Sequence, residues 1–335
     1  VYWGHAKCQK NPLYVALYVA LFPQLVAGPI VRYTTVEEEI TCRKESLHEF
    51  SQGVVRFLFG LGKKMLLANT MGEIADGIFA QVPGTMAVAT AWVGALAYTL
   101  QIYFDFSAYS DMAIGLGRMF GFHFLENFNY PYISCSVTEF WRRWHISLSS
   151  WFRDYVYIPL GGSRCSRGRN MVNLTAVWLL TGLWHGSSWN FVLWGAWFLV
   201  LLLGEKYLWG GGLSRAPAPV GWLYAMLAAV LGWVLFRSPS LSYALNFLGA
   251  MVGRGGPADG QVVYYVLEYW PEWIVALIAM LPVKVWLQSW LERRTNRLAG
   301  LALDWCPKFI ALGLLGLSYL KLVTGSFNPF IYFQF

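Results

Sequence analysis

The chain has 335 residues, of which 57% are hydrophobic, 18% aromatic and only 13% charged. A soluble domain carries about 25% charged residues, so this composition excludes an ordinary soluble protein and predicts a multi-pass membrane protein. The net charge of +7 is scattered between apolar stretches, as cytoplasmic loops and anionic lipid headgroups favour, and this scatter disfavours nucleic-acid binding.

The first apolar stretch is residues 11–31, which lack charged side chains and are long enough to cross a hydrocarbon core of roughly 30 Å. Pro23 and Pro29 interrupt the stretch, so we predict a bent or re-entrant helix rather than a straight one. Residues 33–50 are polar and acidic, which predicts an extramembrane loop.

The next two segments predict helices. Residues 51–79 are amphipathic, with Lys63 and Lys64 placed to lie at a membrane interface. Residues 83–104 form the clearest predicted span, which Asp105 is expected to end.

Four further stretches are apolar. Residues 106–122 predict a second apolar helix after the span, and residues 219–236 predict another crossing. Residues 270–290 and 308–325 are also apolar, but proline and flanking lysines make them less regular spans.

A charge-free run extends over residues 171–203, with His185 near its centre. As one helix this run would be about 50 Å long, which exceeds a single crossing. We predict a break within TGLWHGSSWN, where Gly182 and Gly186 allow a neighbouring helix to approach closely. His185 is therefore expected inside the protein, either hydrogen-bonded to a neighbouring helix or neutral and able to act as a general base.

His145 lies in a second informative segment, residues 136–160. Ser136 and Glu139 have the spacing of a capping box, and aromatic residues then recur at helical spacing, which predicts one helix ending near Pro159. The arginine-rich loop that follows is expected on the cytoplasmic side, as a topology anchor or as a site for an anionic donor such as coenzyme A. His145 is either an ordinary interfacial histidine or a side chain that points into the bundle.

The remaining motifs restrict the chemistry. The five cysteines include no CxxC pair, so neither a disulfide framework nor a zinc site is predicted. The chain contains no GxSxG, HExxH or P-loop motif, and no aspartate follows either histidine at the His-x4-Asp spacing of many glycerolipid acyltransferases. What remains is proton transfer by one or two buried histidines, which suits a hydroxyl that attacks an acyl thioester.

Several blocks of sequence resemble one protein family, in the order expected. They are FPQLVAGPIVRY (22–33), FDFSAYSDMAIGLGRMFGF (104–122), NFNYPYISCSVTEFWRRWHISLSSWFRDYVYIPLGGSR (127–164), LTGLWHGSSWNFVLWG (180–195) and FNPFIYFQF (327–335). Over nearly all of its length the chain resembles the membrane-bound O-acyltransferase family, and within it the bacterial branch typified by the integral-membrane subunit of alginate O-acetyltransferase.

This resemblance implies an all-α, polytopic membrane fold, a ring of helices around a central tunnel with interfacial and re-entrant helices. It implies one membrane-bound O-acyltransferase domain over residues 1–335, and because members usually have further N-terminal helices, the chain is expected to be an N-terminally truncated member. It also implies that His185, in LWHG, is the catalytic histidine and that His145, in WRRWHIS, is its partner. Four nearby residues are candidates for lining the tunnel: Trp144, Trp184, Ser187 and Asn190.

The resemblance further implies cytoplasmic acetyl-CoA as the acetyl source, and no bound cofactor is expected. Two isolated histidines with no Cys or carboxylate at ligand spacing make a poor metal site, so no metal is expected. The acetyl group would cross the bacterial inner membrane to a polysaccharide, alginate or another glycan, either directly or through a periplasmic acetyltransferase partner. Membrane lipids are the other expected contacts.

Three hypotheses therefore stand at the level of the sequence. The leading one is acyl transfer, with His185 as general base on the acceptor hydroxyl while His145 positions the thioester or stabilises its carbonyl oxygen. A transporter or flippase would instead line its substrate path with the same midplane residues. A non-catalytic scaffold would recruit a periplasmic acetyltransferase.

Overall fold

The computed structural model describes most of the chain, and its regular structure is helical. The described residues are 4, 6–25, 28–256, 260–293, 297–325 and 329–330. In chain order, the α-helices are α1 (Pro12–Val19), α2 (Tyr33–Cys42), α3 (Leu47–Gly62), α4 (Asn69–Phe79), α5 (Val88–Met119), α6 (Val137–Arg143), α7 (Ile146–Phe152), α8 (Arg167–His185), α9 (Trp189–Gly204), α10 (Gly210–Leu213), α11 (Ala218–Arg237), α12 (Leu241–Gly249), α13 (Gly260–Glu268), α14 (Trp270–Ala279), α15 (Val283–Glu292) and α16 (Arg297–Thr324). No strand occurs within these ranges, so the predicted all-α class is confirmed.

Short segments of wider, π-helical geometry follow directly on four of these helices. They are Lys63–Ala68, Arg153–Tyr157, Glu205–Trp209 and Ala250–Arg254. π-helical turns make up well under 1% of residues in globular proteins and occur frequently at functional sites.

Three described helical stretches are long and apolar enough to cross a membrane: Trp189–Leu213, Ala218–Arg237 and Gly300–Thr324. The pair α13 and α14 is a further candidate, bent by 66°. The span predicted at 219–236 is confirmed as α11, whereas the stretch at 270–290 is divided between α14 and α15 near Pro282.

The helix α5 corrects two predictions. The span predicted at 83–104 is not among the helices apolar enough to cross a membrane, and many of its residues are buried by protein. Asp105 does not end this helix, because α5 continues to Met119. The Asp105 carboxylate accepts a hydrogen bond from Lys64 Nζ at 2.5 Å, so its charge is compensated within the protein.

The chain divides into two compact units, and unit 1 comprises residues 1–66, 104–127 and 282–334. Its long helix α16 packs along α3. The interruption predicted within 11–31 is confirmed, because α1 ends at Val19. The loop predicted at 33–50 is wrong in part, since α2 and the start of α3 lie there. The hydrophobic core of this part consists of Leu21, Val31, Val36, Ile40, Ile114, Phe122 and Phe124.

The described part of unit 2 comprises residues 67–103, 128–256 and 260–281. Helices α8 and α9 pack against each other, α9 packs on α11, and the short helix α6 contacts both α9 and α11. Large aromatic side chains fill the centre of this unit and are almost fully buried: Tyr98, Tyr132, Phe140, Trp194, Phe198, Trp233 and Phe247. Both candidate catalytic histidines belong to unit 2.

Candidate active site

His185 is the last residue of α8, at the break that divides the charge-free run. The chain turns through Gly186, Ser187 and Ser188, and α9 begins at Trp189. The Ser188 hydroxyl caps the new helix by accepting a hydrogen bond from the Asn190 N–H at 3.4 Å. The prediction that TGLWHGSSWN interrupts the helix is therefore confirmed.

Glycines bring α8 and α9 into close contact beneath His185. A Cβ added at Gly182 would lie 2.5 Å from the Phe191 carbonyl oxygen of α9. A Cβ added at Gly195 of α9 would likewise collide with the Trp178 carbonyl oxygen of α8. The close approach predicted for Gly182 is confirmed, and the position of His185 is fixed by contact between two backbones.

Aromatic rings surround the imidazole of His185. Its ring centroid lies 4.8 Å from Trp184, 5.0 Å from Trp194 and 5.1 Å from Phe236. All three rings stand nearly perpendicular to the imidazole, at interplanar angles of 74°, 84° and 81°. Among the described residues, none forms a hydrogen bond or ion pair with His185. The imidazole thus keeps its nitrogens for another group, and aromatic rings can stabilise it when it gains a proton.

His145 lies where the helix predicted over residues 136–160 is broken. The chain forms α6, then passes through Trp144 and His145 before α7 begins, so the prediction of one continuous helix is wrong. His145 has φ 43° and ψ 57°, a left-handed conformation that is uncommon outside glycine. Its carbonyl oxygen accepts the first hydrogen bond of α7 from the Ser149 N–H at 3.0 Å. Backbone strain of this kind is concentrated at functional sites.

The imidazole of His145 is buried, with 4% of its surface exposed. It stacks on Phe128 at a centroid distance of 6.5 Å, and its Nδ1 lies 3.4 Å from the Ser147 hydroxyl. Burial, with a smaller contribution from His185, lowers the pKa of His145 to about 3. The ring is therefore neutral near pH 7.

Trp184 brings the two histidines together. Its ring centroid lies 4.8 Å from that of His185 and 6.4 Å from that of His145. Trp184 is 50% exposed, so it presents a surface beside both imidazoles. Ser187, in the turn after His185, is exposed as well.

The other two candidate tunnel residues are buried. Trp144 packs in the aromatic core, with its ring 4.8 Å from Trp233 and 5.1 Å from Phe128. Asn190 is 2% exposed, and its amide donates a hydrogen bond to the Ser238 carbonyl at 2.5 Å, which ties α9 to the end of α11. These contacts hold the site in shape.

The sequence did not identify Trp194 or Phe236 as part of the site. Both lie on apolar helices, where aromatic side chains commonly face lipid or pack in the core. No sequence pattern therefore distinguishes these two. Among the described residues, no group of three or more His, Cys, Asp or Glu side chains is arranged to hold a metal ion.

Comparison with known proteins gives a consistent relationship. The sequence model of the membrane-bound O-acyltransferase family matches residues 7–237. A protein of Pseudomonas putida described as "Probable alginate O-acetylase" is 42% identical over 358 residues, covering all of this chain and 71% of that protein. A protein of Azotobacter vinelandii with the same description is 39% identical, covering all of this chain and 72% of its own length.

A more distant relative acts on a different polymer. The "Peptidoglycan O-acetyltransferase" of Helicobacter pylori is 31% identical over 347 residues, covering 96% of this chain and 64% of that protein. These three relatives thus share O-acetylation by name and differ in the glycan.

Proposed function

This chain belongs to the membrane-bound O-acyltransferase family, and we propose that it transfers acetyl groups with His185 as the general base. It is a multi-pass membrane O-acetyltransferase for a polysaccharide. The observation that carries the assignment to His185 is its imidazole, which is enclosed by aromatic rings and has no hydrogen-bonding partner among the described residues.

The proposed step is attack of an acceptor hydroxyl on an acetyl thioester. The hydroxyl oxygen forms the new C–O bond while the C–S bond breaks, and His185 takes the hydroxyl proton and returns it to the leaving thiolate. A neutral imidazole can accept that proton. Trp184, Trp194 and Phe236 would stabilise the imidazolium through their π-systems.

His145 would act on the donor side of this step. Its neutral imidazole would position the thioester or stabilise charge on the carbonyl oxygen. The strained backbone at His145 supports this role, because the fold maintains an unfavourable conformation there. Trp184 and Ser187, both exposed beside His185, would line the substrate path, whereas Trp144 and Asn190 would act through packing.

The donor and the route complete the proposal. We propose acetyl-CoA, reached from the cytoplasmic face of the bacterial inner membrane, as the acetyl source. The arginine-rich loop after α7 supports this orientation, since basic loops favour the cytoplasmic side. The acceptor would be alginate or a related glycan, acetylated directly or through a periplasmic acetyltransferase.

The experiment is acetyl transfer from radiolabelled acetyl-CoA to polysaccharide in membranes that carry the chain in its full-length protein. We expect His185→Ala to lower the rate by about a thousandfold and His145→Ala by about a hundredfold. His48→Ala, which removes an exposed histidine outside the site, is the matched control and should retain the wild-type rate. Normal transfer by correctly folded His185→Ala protein would refute the assignment.

A further inference from the structure

A π-helical turn at the end of α9, Glu205–Trp209, contacts the helices that lead to both histidines. We call Glu205, Lys206 and Tyr207 the π-turn anchor. Its three side chains point to two different elements. Glu205 contacts the start of α6, and the other two contact α8.

Glu205 forms three short hydrogen bonds with the N-terminus of α6. Its carboxylate accepts the Val137 N–H at 2.6 Å, the Thr138 N–H at 2.8 Å and the Thr138 hydroxyl at 2.5 Å. The first N–H groups of a helix have no partner within the helix, and the helix dipole favours negative charge there. Glu205 therefore fixes the start of α6 from another helix.

The turn that carries Glu205 is itself fixed to α8. Lys206 Nζ and the Tyr207 hydroxyl both donate to the Asn170 side-chain oxygen, each at 2.6 Å. Asn170 is 3% exposed and lies in the first turn of α8, and its amide also donates to the Gly162 carbonyl at 2.8 Å. The backbone that carries the Glu205 carboxylate is thus fixed to α8 by the hydrogen bonds to Asn170.

The helix that Glu205 holds is short and leads straight to the site. α6 ends at Arg143, only two residues before His145. A seven-residue helix is about 10 Å long, so a tilt at its first turn moves its last residue directly. The left-handed backbone of His145 follows at once, and such a conformation persists only where its surroundings determine it.

We infer that Glu205 is a positioning residue for acetyl transfer, which sets the place of His145 by fixing the start of α6. This inference rests on the function proposed for His145. Glu205 acts through α6, and its removal should therefore lower the turnover of bound substrates rather than weaken their binding.

The test is a double-mutant cycle in the full-length membrane protein, with the wild type, Glu205→Gln, His145→Ala and the double variant. The readouts are kcat and KM for acetyl transfer from radiolabelled acetyl-CoA. The amount of folded protein, measured by fluorescence-detected size-exclusion chromatography, is used to calculate kcat. We expect Glu205→Gln to lower kcat about tenfold with KM unchanged, because it weakens a charge-assisted helix cap. In the His145→Ala background it should cause no further loss.

Two further variants are needed, one as a second test of the same contact and one as a control. Thr138→Val removes one of the three hydrogen bonds and should lower kcat about threefold even if Glu205→Gln folds poorly. Asp304→Asn removes a carboxylate that pairs with Lys308 at 2.6 Å in unit 1, and it should leave kcat unchanged.

The outcomes separate the two proposals. A Glu205→Gln protein with the wild-type kcat, or one that loses the same factor with and without His145, overturns the inference while the function proposed for His145 stands. A wild-type rate for His145→Ala contradicts the function proposed for that residue, and it overturns the positioning role of Glu205 with it.

Discussion

Polar side chains are used differently in the two units: in unit 1 the buried Lys64 and Asp105 form an ion pair, whereas in unit 2 the imidazoles of His145 and His185 lie among aromatic rings. In unit 1, Lys64 and Asp105 are both at most 5% exposed and lie 2.5 Å apart. In unit 2, the neighbours of the His185 imidazole are the rings of Trp184, Trp194 and Phe236, and no described carboxylate pairs with it.

A second group of charges in unit 1 follows the same rule. Arg56 lies 2.7 Å from Asp111 and 2.5 Å from Glu126, and Lys63 lies 2.6 Å from the other oxygen of Asp111. Each of these charged groups therefore lies within 2.7 Å of an opposite charge.

The difference indicates two roles for polar side chains in this protein. A paired charge is costly to separate and suits a structural role. An imidazole without a fixed counter-charge is not held in the protonated form, so a neutral ring can accept a proton from a bound group. Four predictions test this contrast, in order of decreasing effect.

The largest effect is expected at the Lys64–Asp105 pair. Lys64→Met should destabilise the protein by about 4 kcal/mol, because it leaves the Asp105 carboxylate buried without its cation. Chemical unfolding in detergent measures the change. The double variant with Asp105→Leu should recover much of the loss, and Lys64→Met alone with unchanged stability would show that the pair is not structural.

The site of unit 2 should depend on backbone packing instead. Gly182→Ala should destabilise the protein by about 2 to 3 kcal/mol and lower acetyl transfer, since its Cβ would lie 2.5 Å from the Phe191 carbonyl oxygen. Gly211→Ala is the matched control, because nothing lies within 4 Å of a Cβ at Gly211. Equal thermal stability of the two variants would contradict the prediction.

The neutrality of His145 predicts a dependence of stability on pH. Its pKa is about 3 when folded and 6.5 in an ordinary environment, so between these values the unfolded chain binds a proton that the folded protein does not. Stability should therefore fall as the pH drops below 6.5, by roughly 2 kcal/mol at pH 5.

Thermal unfolding of the wild type and of His145→Gln at pH 7.5 and pH 5 measures this term. The variant should lose less stability on acidification than the wild type, whereas His48→Gln should behave as the wild type does. Identical losses in the wild type and His145→Gln would mean that His145 is protonated in the folded state.

The smallest effect is expected for an exposed pair in unit 2. Arg237 lies 2.6 Å from Asp76, whose side chain is 51% exposed. Asp76→Asn should cost about 0.5 kcal/mol and less in high salt, because solvent screens exposed pairs. A cost near that of Lys64→Met would remove the distinction between buried and exposed pairs.

Local signals in the sequence were sufficient where the pattern is continuous. The apolar length of residues 219–236 predicted α11, and the excessive length of 171–203 predicted the break after His185. Both rest on the thickness of a membrane and the rise of a helix, which do not depend on distant residues.

The same reasoning failed where a contact with a residue far away in the sequence determines the local structure. Asp105 was expected to end a helix and Lys64 to lie at an interface, yet they pair with each other 41 positions apart. Helical spacing also predicted one helix through His145, whereas the backbone there is left-handed. The helical spacing of apolar residues shows which side of a helix is apolar. A break of one or two residues in the helix hardly changes that spacing, so the spacing does not reveal the break.

The sequence alone determined that the chain is helical, apolar enough for a membrane and divided next to His185, because composition and run length are properties of the chain itself. Only the tertiary structure decided that Trp184 contacts both imidazoles, that Trp194 and Phe236 enclose His185, and that Glu205 caps α6. Each of these depends on which helices meet. Aromatic side chains are so frequent in this protein that no local sequence pattern distinguishes the few that contact the two imidazoles.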